Sequence, residues 1–196
     1  MEKDEAMKHG GDENYYVNQS CYGQIQPTRK LGLMDSYWLQ RGRWDAKFKE
    51  EKTPTVKEVY LWLMKSEYGI DETTGKKKKK SVFQNIGSLT ALLICGDLIE
   101  ANVLPMPTAQ KWGDLIADVD KGGQAGMVMY ELVPNGSSKE EISDAFVSLD
   151  LALQQELRDD EKEMMGYNVV MLEHSLCKIK RLTTRGLSKQ EILYEL

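Results

Sequence analysis

The chain has 196 residues and a formal net charge of −5, with 41% hydrophobic and 29% charged residues. Its length fits one domain and allows a hydrophobic core large enough to need no disulfide or metal for stability. The hydrophobic content excludes a fully disordered chain, and the negative charge argues against a protein that coats nucleic acid through an excess of basic residues.

The cysteines and the apolar segments bear on the compartment. The chain has three cysteines, an odd number, and they are widely spaced: Cys21, Cys95 and Cys177. This pattern is typical of free thiols in a reducing compartment. The first residues have no apolar signal-peptide core, and Glu2 stands where N-myristoylation requires glycine. The longest uncharged stretch, 81–96, is shorter than the roughly 20 residues that a spanning helix needs. We therefore expect an intracellular protein (cytoplasmic, peripheral membrane or nuclear) that is not secreted and has no transmembrane helix.

The N-terminal part of the chain has weak signals. Residues 1–14 are rich in acidic side chains and poor in apolar ones, which predicts a mobile acidic tail before one globular domain, 15–196. A short strand is predicted at 15–25. In segment 37–48 the aromatic residues fall at even positions, which favours a strand or a loop with aromatic anchors: Trp38, Trp44 and Phe48.

Three helices are predicted in the next part of the chain. The first begins near Thr53 and Pro54 and ends at Gly69, and the second spans about 81–102. Pro105 and Pro107 separate the second helix from a third, which starts at 108. The predicted core consists of apolar residues at helical spacing on these three helices and on the fourth helix described below: Trp62, Leu63, Ile86, Leu93, Trp112, Ile116, Phe146 and Leu149.

The last third of the chain alternates turn, strand and helix signals. Glycines at 122, 123 and 126 predict a turn before a strand at 127–133, and a second strand is predicted at 167–172. Ser138 and Glu141 form a capping box that opens a fourth helix, whose charged end at 156–163 projects into water; a second box opens a short terminal helix at 188. The predicted fold class is α+β: a helix-rich single domain with a few short strands and a disordered acidic N-terminal tail.

Motifs for catalysis, metals and nucleotides fail on spacing. Ile70 stands where a phosphate-binding loop ending at Gly75 needs glycine, and Met129 stands where a calcium loop needs glutamate. His174 and Cys177 lie three positions apart, but a zinc site needs three or four ligands. We therefore predict no catalytic residues, no metal, no cofactor and no small-molecule substrate. An enzyme would need His174 and Cys177 in one pocket with a carboxylate.

Charge is distributed unevenly along the chain. Segment 29–57 has eight basic and four acidic residues, whereas 140–163 has nine acidic and two basic residues. Such a distribution predicts separate positive and negative surfaces. These surfaces could serve solubility alone, or they could support head-to-tail self-association or docking on an anionic surface.

Five consecutive lysines, here termed the lysine run, are the most specific feature of the sequence: Lys76, Lys77, Lys78, Lys79 and Lys80. Such a run is a solvated loop, or else contacts anionic lipid or phosphates or acts as a nuclear localisation signal.

The pattern of 53–102 resembles that of the small matrix proteins of rhabdoviruses. The shared features are an amphipathic helix with aromatics, a Tyr-Gly exit, an exposed basic loop and an apolar helix: Val56, Tyr60, Trp62, Tyr68, Gly69, Gly87 and Ser88. Chain size and a charged N-terminus are also similar. The resemblance implies self-assembly, binding of anionic membrane and nucleocapsid, and virion budding, with the lysine run as the anionic-surface contact. The chain lacks the proline-rich budding motifs, and its N-terminus is acidic rather than lysine-rich.

Two functions are therefore expected from the sequence. The first is a non-enzymatic structural or adaptor protein, matrix-like, whose partners are itself and an anionic lipid membrane or a ribonucleoprotein. The alternative is a regulatory protein associated with nucleic acid. Its phosphate-contacting and stacking surface would combine the lysine run with four further residues: Arg41, Arg43, Trp38 and Trp44.

Overall fold

The computed structural model describes residues 41–48, 53–70, 73–83, 86–119 and 121–183. These residues form eight helices and one hairpin, in the order α1 (Arg41–Phe48), α2 (Val56–Leu63), β1 (Ser66–Ile70), β2 (Lys77–Ser81), α3 (Ser88–Glu100), α4 (Ala109–Val119), α5 (Lys121–Met129), α6 (Lys139–Glu156), α7 (Asp159–Met165) and α8 (Val169–Thr183). The predicted acidic tail, the strand at 15–25, Trp38 and the helix from 188 lie outside the described residues.

The α+β prediction is wrong, because the described part of the chain is built from helices. Of the predicted strands, 127–133 begins inside α5 and 167–172 runs into α8. The sheet that the described residues form is a single two-stranded hairpin. Asn168 shows why the last segment is helical: its side-chain oxygen accepts hydrogen bonds from the backbone N–H groups of Val170 and Met171, both at 2.9 Å, and so caps α8. Segment 37–48, predicted as strand or loop, is helical from Arg41.

Capping residues set the helix starts. At α2 the cap is Thr55 rather than Thr53: its hydroxyl accepts the Glu58 N–H at 3.3 Å, and its own N–H donates to the Glu58 carboxylate at 2.7 Å. The predicted capping box of Ser138 and Glu141 is confirmed, with the same two bonds at 3.2 and 2.7 Å. Each box satisfies backbone groups that have no partner within the helix, and so fixes where the helix begins.

Two predicted helix bounds are wrong around the lysine run. Helix α2 ends at Leu63, and Gly69 lies in strand β1. Helix α3 begins at Ser88 instead of 81, because residues up to Ser81 pair in strand β2. The third helix begins within one residue of its predicted start, with the Thr108 hydroxyl accepting a backbone N–H at 3.3 Å.

Most of the predicted core is confirmed. The buried side chains form one contiguous cluster that includes Leu63, Ile86, Trp112, Ile116 and Phe146, with Trp62 and Leu149 partly buried against it. Leu93 is the exception: it is 40% exposed, while its neighbour Leu92 is 1% exposed. The predicted phase of α3 was therefore wrong by one residue. Because α3 is apolar on several sides, its sequence does not single out the face that packs.

Glycines allow the helices of this core to approach closely. Helix α4 packs chiefly against α6, and α5 against α8. A Cβ on Gly113 would lie 3.0 Å from the Ser143 hydroxyl, and one on Gly126 would lie 2.8 Å from the carbonyl carbon of Leu176. The predicted turn at 122–126 is wrong, because these residues lie inside α5; one of its glycines, Gly126, provides room for the backbone of α8.

Candidate functional site

The lysine run lies mainly in a β strand. Strand β2, Lys77–Ser81, pairs antiparallel with β1, so that Lys77 is opposite Ile70 and Lys80 is opposite Glu67. The expectation of a loop leading directly into a helix is therefore wrong. Successive positions of a strand lie on opposite faces, so positions 77 and 79 belong to one face of the hairpin and positions 78 and 80 to the other. Both faces of the hairpin thus carry lysine positions.

The same hairpin carries an exposed apolar residue. Ile70, the last residue of β1, is 73% exposed and lies opposite Lys77. Lys76, which precedes β2, is also exposed. The hairpin therefore combines an exposed branched aliphatic side chain with consecutive basic positions, which is the combination found where peripheral proteins touch anionic membranes.

An open groove adjoins the base of the hairpin. The backbone N–H of Val82 donates to the Lys65 carbonyl at 3.0 Å, which joins the end of β2 to the segment that follows α2. The groove has a volume of about 630 Å³, and its apolar lining comes from α1, α2 and the residue after β2: Ala46, Leu61, Trp62 and Val82. Leu61 is 57% exposed within it.

The groove has a predominantly basic rim. Arg43, Lys47 and Lys65 line it, all of them exposed, together with one carboxylate, Glu58. That carboxylate also accepts the hydrogen bonds of the α2 capping box. We term these residues and the apolar lining the basic groove. Only Arg43 of the rim was predicted as a site residue. Lys47 was missed because the basic segment 29–57 does not single it out, and Lys65 was missed because it lies outside that segment; the fold alone brings the two together.

Aromatic rings hold α1 against α2. The ring centroids of Trp44 and Phe48 lie 4.7 Å apart, and both rings contact Trp62, at 5.7 and 5.4 Å. Trp62 in turn contacts Phe83 at 4.6 Å in an edge-on arrangement. Trp44, predicted as a stacking surface, is thus half-buried in a ring cluster that positions Arg43 at the groove. Arg41 begins α1, and Trp38 lies outside the described residues.

The acidic segment predicted to project into water forms its own helix. Helix α6 ends at Glu156, and α7 follows with no buried residue. Arg158 and Lys162 contact carboxylates of the same segment: Arg158 bonds to Asp160 at 3.0 Å, and this hydrogen bond lowers the pKa of Asp160. The described residues thus include a basic groove and an acidic helix, in agreement with the charge pattern of the sequence.

The candidate catalytic pair lies on helix α8. His174 Nε2 is 3.5 Å from the carboxylate of Glu173, which is buried, and Cys177 is half-buried one turn further on. Burial raises the pKa of Asp97 on α3, an effect that nearby His174 opposes. Among the described residues, no group of three histidine, cysteine or acidic side chains is placed to hold a metal ion.

Cys95 gives a pH-dependent prediction. Burial raises the pKa of this thiol from 9.0 to about 12, so the folded chain keeps a proton that the unfolded chain loses above about pH 9. The free energy of unfolding should therefore decrease as the pH rises from about 9 to about 12. This group contributes at most about 1.4 kcal/mol of that decrease per pH unit. Denaturant titrations at several alkaline pH values should show a smaller decline for Cys95→Ala than for the wild type. Cys177→Ala is the control, and equal slopes for Cys95→Ala and the wild type would contradict the assignment.

No protein-family model matches the chain, and no curated protein or solved structure matches it. The resemblance to rhabdovirus matrix proteins stays a prediction. In the described part of the chain, no helix has both the length and the apolar character needed to cross a bilayer.

Proposed function

We propose that this chain is a non-enzymatic structural or adaptor protein that docks on anionic membranes through its hairpin and assembles with copies of itself. The observation that carries the proposal is the hairpin, in which a strand of lysines pairs with a strand ending in the exposed Ile70. The basic groove beside it extends the positive surface. A matrix-like role at a membrane, with a ribonucleoprotein as a further partner, is the function that this surface and the resemblance favour together.

The energies favour reversible binding rather than permanent anchoring. Each lysine near an anionic bilayer contributes on the order of 1 kcal/mol, so the run supplies several kcal/mol at low salt. Stable attachment of a peripheral protein takes a second contact besides charge. Ile70 and Leu61 are both mostly exposed; Ile70 lies opposite Lys77 on the hairpin and Leu61 lines the basic groove, so both supply apolar area beside basic residues.

The nucleic-acid alternative receives less support from the aromatic residues. Binding of single strands by stacking needs open ring faces beside basic groups. Trp44 and Trp62 instead contact other rings, and Phe83 is buried. Phosphate contacts by Arg43 and the lysine run need no stacking, so RNA binding is the competing outcome in the experiment below.

Replacing all five lysines of the run by glutamine should weaken binding to anionic vesicles at least tenfold at low salt, because the Coulomb attraction is lost. Flotation with phosphatidylserine-containing vesicles measures this, and vesicles of phosphatidylcholine alone set the background. Added salt should reduce wild-type binding, since exposed charges are screened over about 8 Å at physiological ionic strength. The matched control replaces the five lysines by arginine, which keeps the charge and should keep the binding.

A second variant separates the apolar contact from the charge. Ile70→Ser should weaken vesicle binding while leaving its salt dependence unchanged, because it removes no charge. If the glutamine variant floats with anionic vesicles as well as the wild type does, the lysine run is a solvated strand and the membrane proposal is wrong. Wild-type binding to RNA without binding to anionic vesicles would instead support the nucleic-acid alternative.

A further inference from the structure

Helix α7 presents methionines that have no place in the core. Met164 is 81% exposed and Met165 is 48% exposed, at the end of a helix with no buried residue. Methionine is flexible and polarisable, and it is common at surfaces that bind protein partners. The preceding residues carry four carboxylates against two cations, counted from Arg158 to Glu163. The segment is thus a short helix with an acidic body and an apolar end.

The basic groove has the complementary character. Its lining is apolar, from residues such as Leu61 and Val82, and its rim carries three cations against one carboxylate. Helix α7 contributes no residue to the lining of this groove. An acidic helix with exposed methionines and an apolar groove with a basic rim therefore occur on different elements of the same chain.

We propose that α7 of one copy docks into the basic groove of a second copy, with Met164 and Met165 on the apolar lining and the α7 carboxylates on Lys47 and Lys65. The inference rests on the self-association part of the proposed function and names the two surfaces that carry it. Two grooves facing each other would bring like charges together, so a symmetric groove-to-groove dimer is disfavoured. The contact is head-to-tail, so a dimer keeps one groove available on one copy and one α7 available on the other.

A head-to-tail contact that does not close into a ring adds copies without limit. The wild-type mass should therefore increase continuously with protein concentration rather than stop at that of a dimer. Because exposed charges steer the contact, the mass at a given concentration should fall as salt is added. Sedimentation velocity over a range of concentrations and salt measures both effects.

Two variants that block opposite surfaces give the decisive test. The groove variant combines Lys47→Glu with Lys65→Glu, and the helix variant combines Glu163→Lys with Met164→Ser. Each alone should be monomeric, with self-association at least tenfold weaker than that of the wild type. Mixed together, they should form a one-to-one heterodimer and nothing larger, because the mixture contains one intact groove and one intact α7. This dimer also shows that both variants are folded.

Exposed positions elsewhere provide matched controls. Lys111→Glu on α4 and Asp144→Lys on α6 make the same kinds of charge change at positions outside both surfaces, and they should assemble as the wild type does. If the groove and helix variants assemble like the controls, or if their mixture stays monomeric while the wild type associates, the docking proposal is wrong. A wild type that is monomeric at every concentration would also remove self-association from the proposed function, whereas vesicle flotation tests membrane docking independently.

Discussion

Replacing Gly126 by alanine should lower the free energy of unfolding by about 3 kcal/mol, at the upper end of the usual cost of overpacking. The added Cβ would lie 2.8 Å from the carbonyl carbon of Leu176 and closer still to its oxygen. Both atoms belong to the backbone of α8, so no side chain can rotate away and the two helices must separate. Urea or guanidinium unfolding followed by circular dichroism measures the loss.

Gly42→Ala is the matched control for this substitution. Gly42 also lies within a helix, and a Cβ there would meet nothing within 4 Å. Alanine in an open helical position stabilises by roughly 0.5–1 kcal/mol relative to glycine. The two Gly→Ala changes should therefore have opposite signs. Equal effects would mean that α5 and α8 do not approach each other as closely as the backbone of Leu176 indicates.

Features that depend on neighbouring residues could be predicted from the sequence, and those that depend on distant residues could not. The capping box of Ser138 and Glu141 is complete within four residues, and its prediction is confirmed. The glycines at 122–126 are ambiguous, because glycine serves both a turn and a close helix contact. For Gly126, only the position of Leu176, fifty residues later, decides between these uses. The predicted turn and strand there were wrong for that reason.

The candidate site follows the same rule. The lysine run is obvious in the sequence, but its strand structure depends on pairing with β1, a segment predicted as the end of a helix. The basic groove is assembled from α1, α2, Lys65 and Val82. Lys47 and Lys65 line one cavity because α1 packs against α2, where Trp44 contacts Trp62. The distribution of charged residues along the chain predicts that this surface is positive, but it does not predict which residues line the groove.

Leu92 and Leu93 offer the sharpest test of how α3 packs. Leu92→Ala should cost about 2–5 kcal/mol, because a side chain that is 1% exposed within the main core cluster would leave a cavity. Leu93→Ala should cost about 1 kcal/mol or less, since Leu93 is 40% exposed and lies outside that cluster. Leucine and alanine both favour helices, so the difference between the two variants reports burial rather than helix propensity. The free energies of unfolding from denaturant titration give the comparison. A larger loss for Leu93→Ala would restore the helix phase predicted from the sequence and place the face that carries Leu93 against the core, about 100° around the helix from the face that carries Leu92.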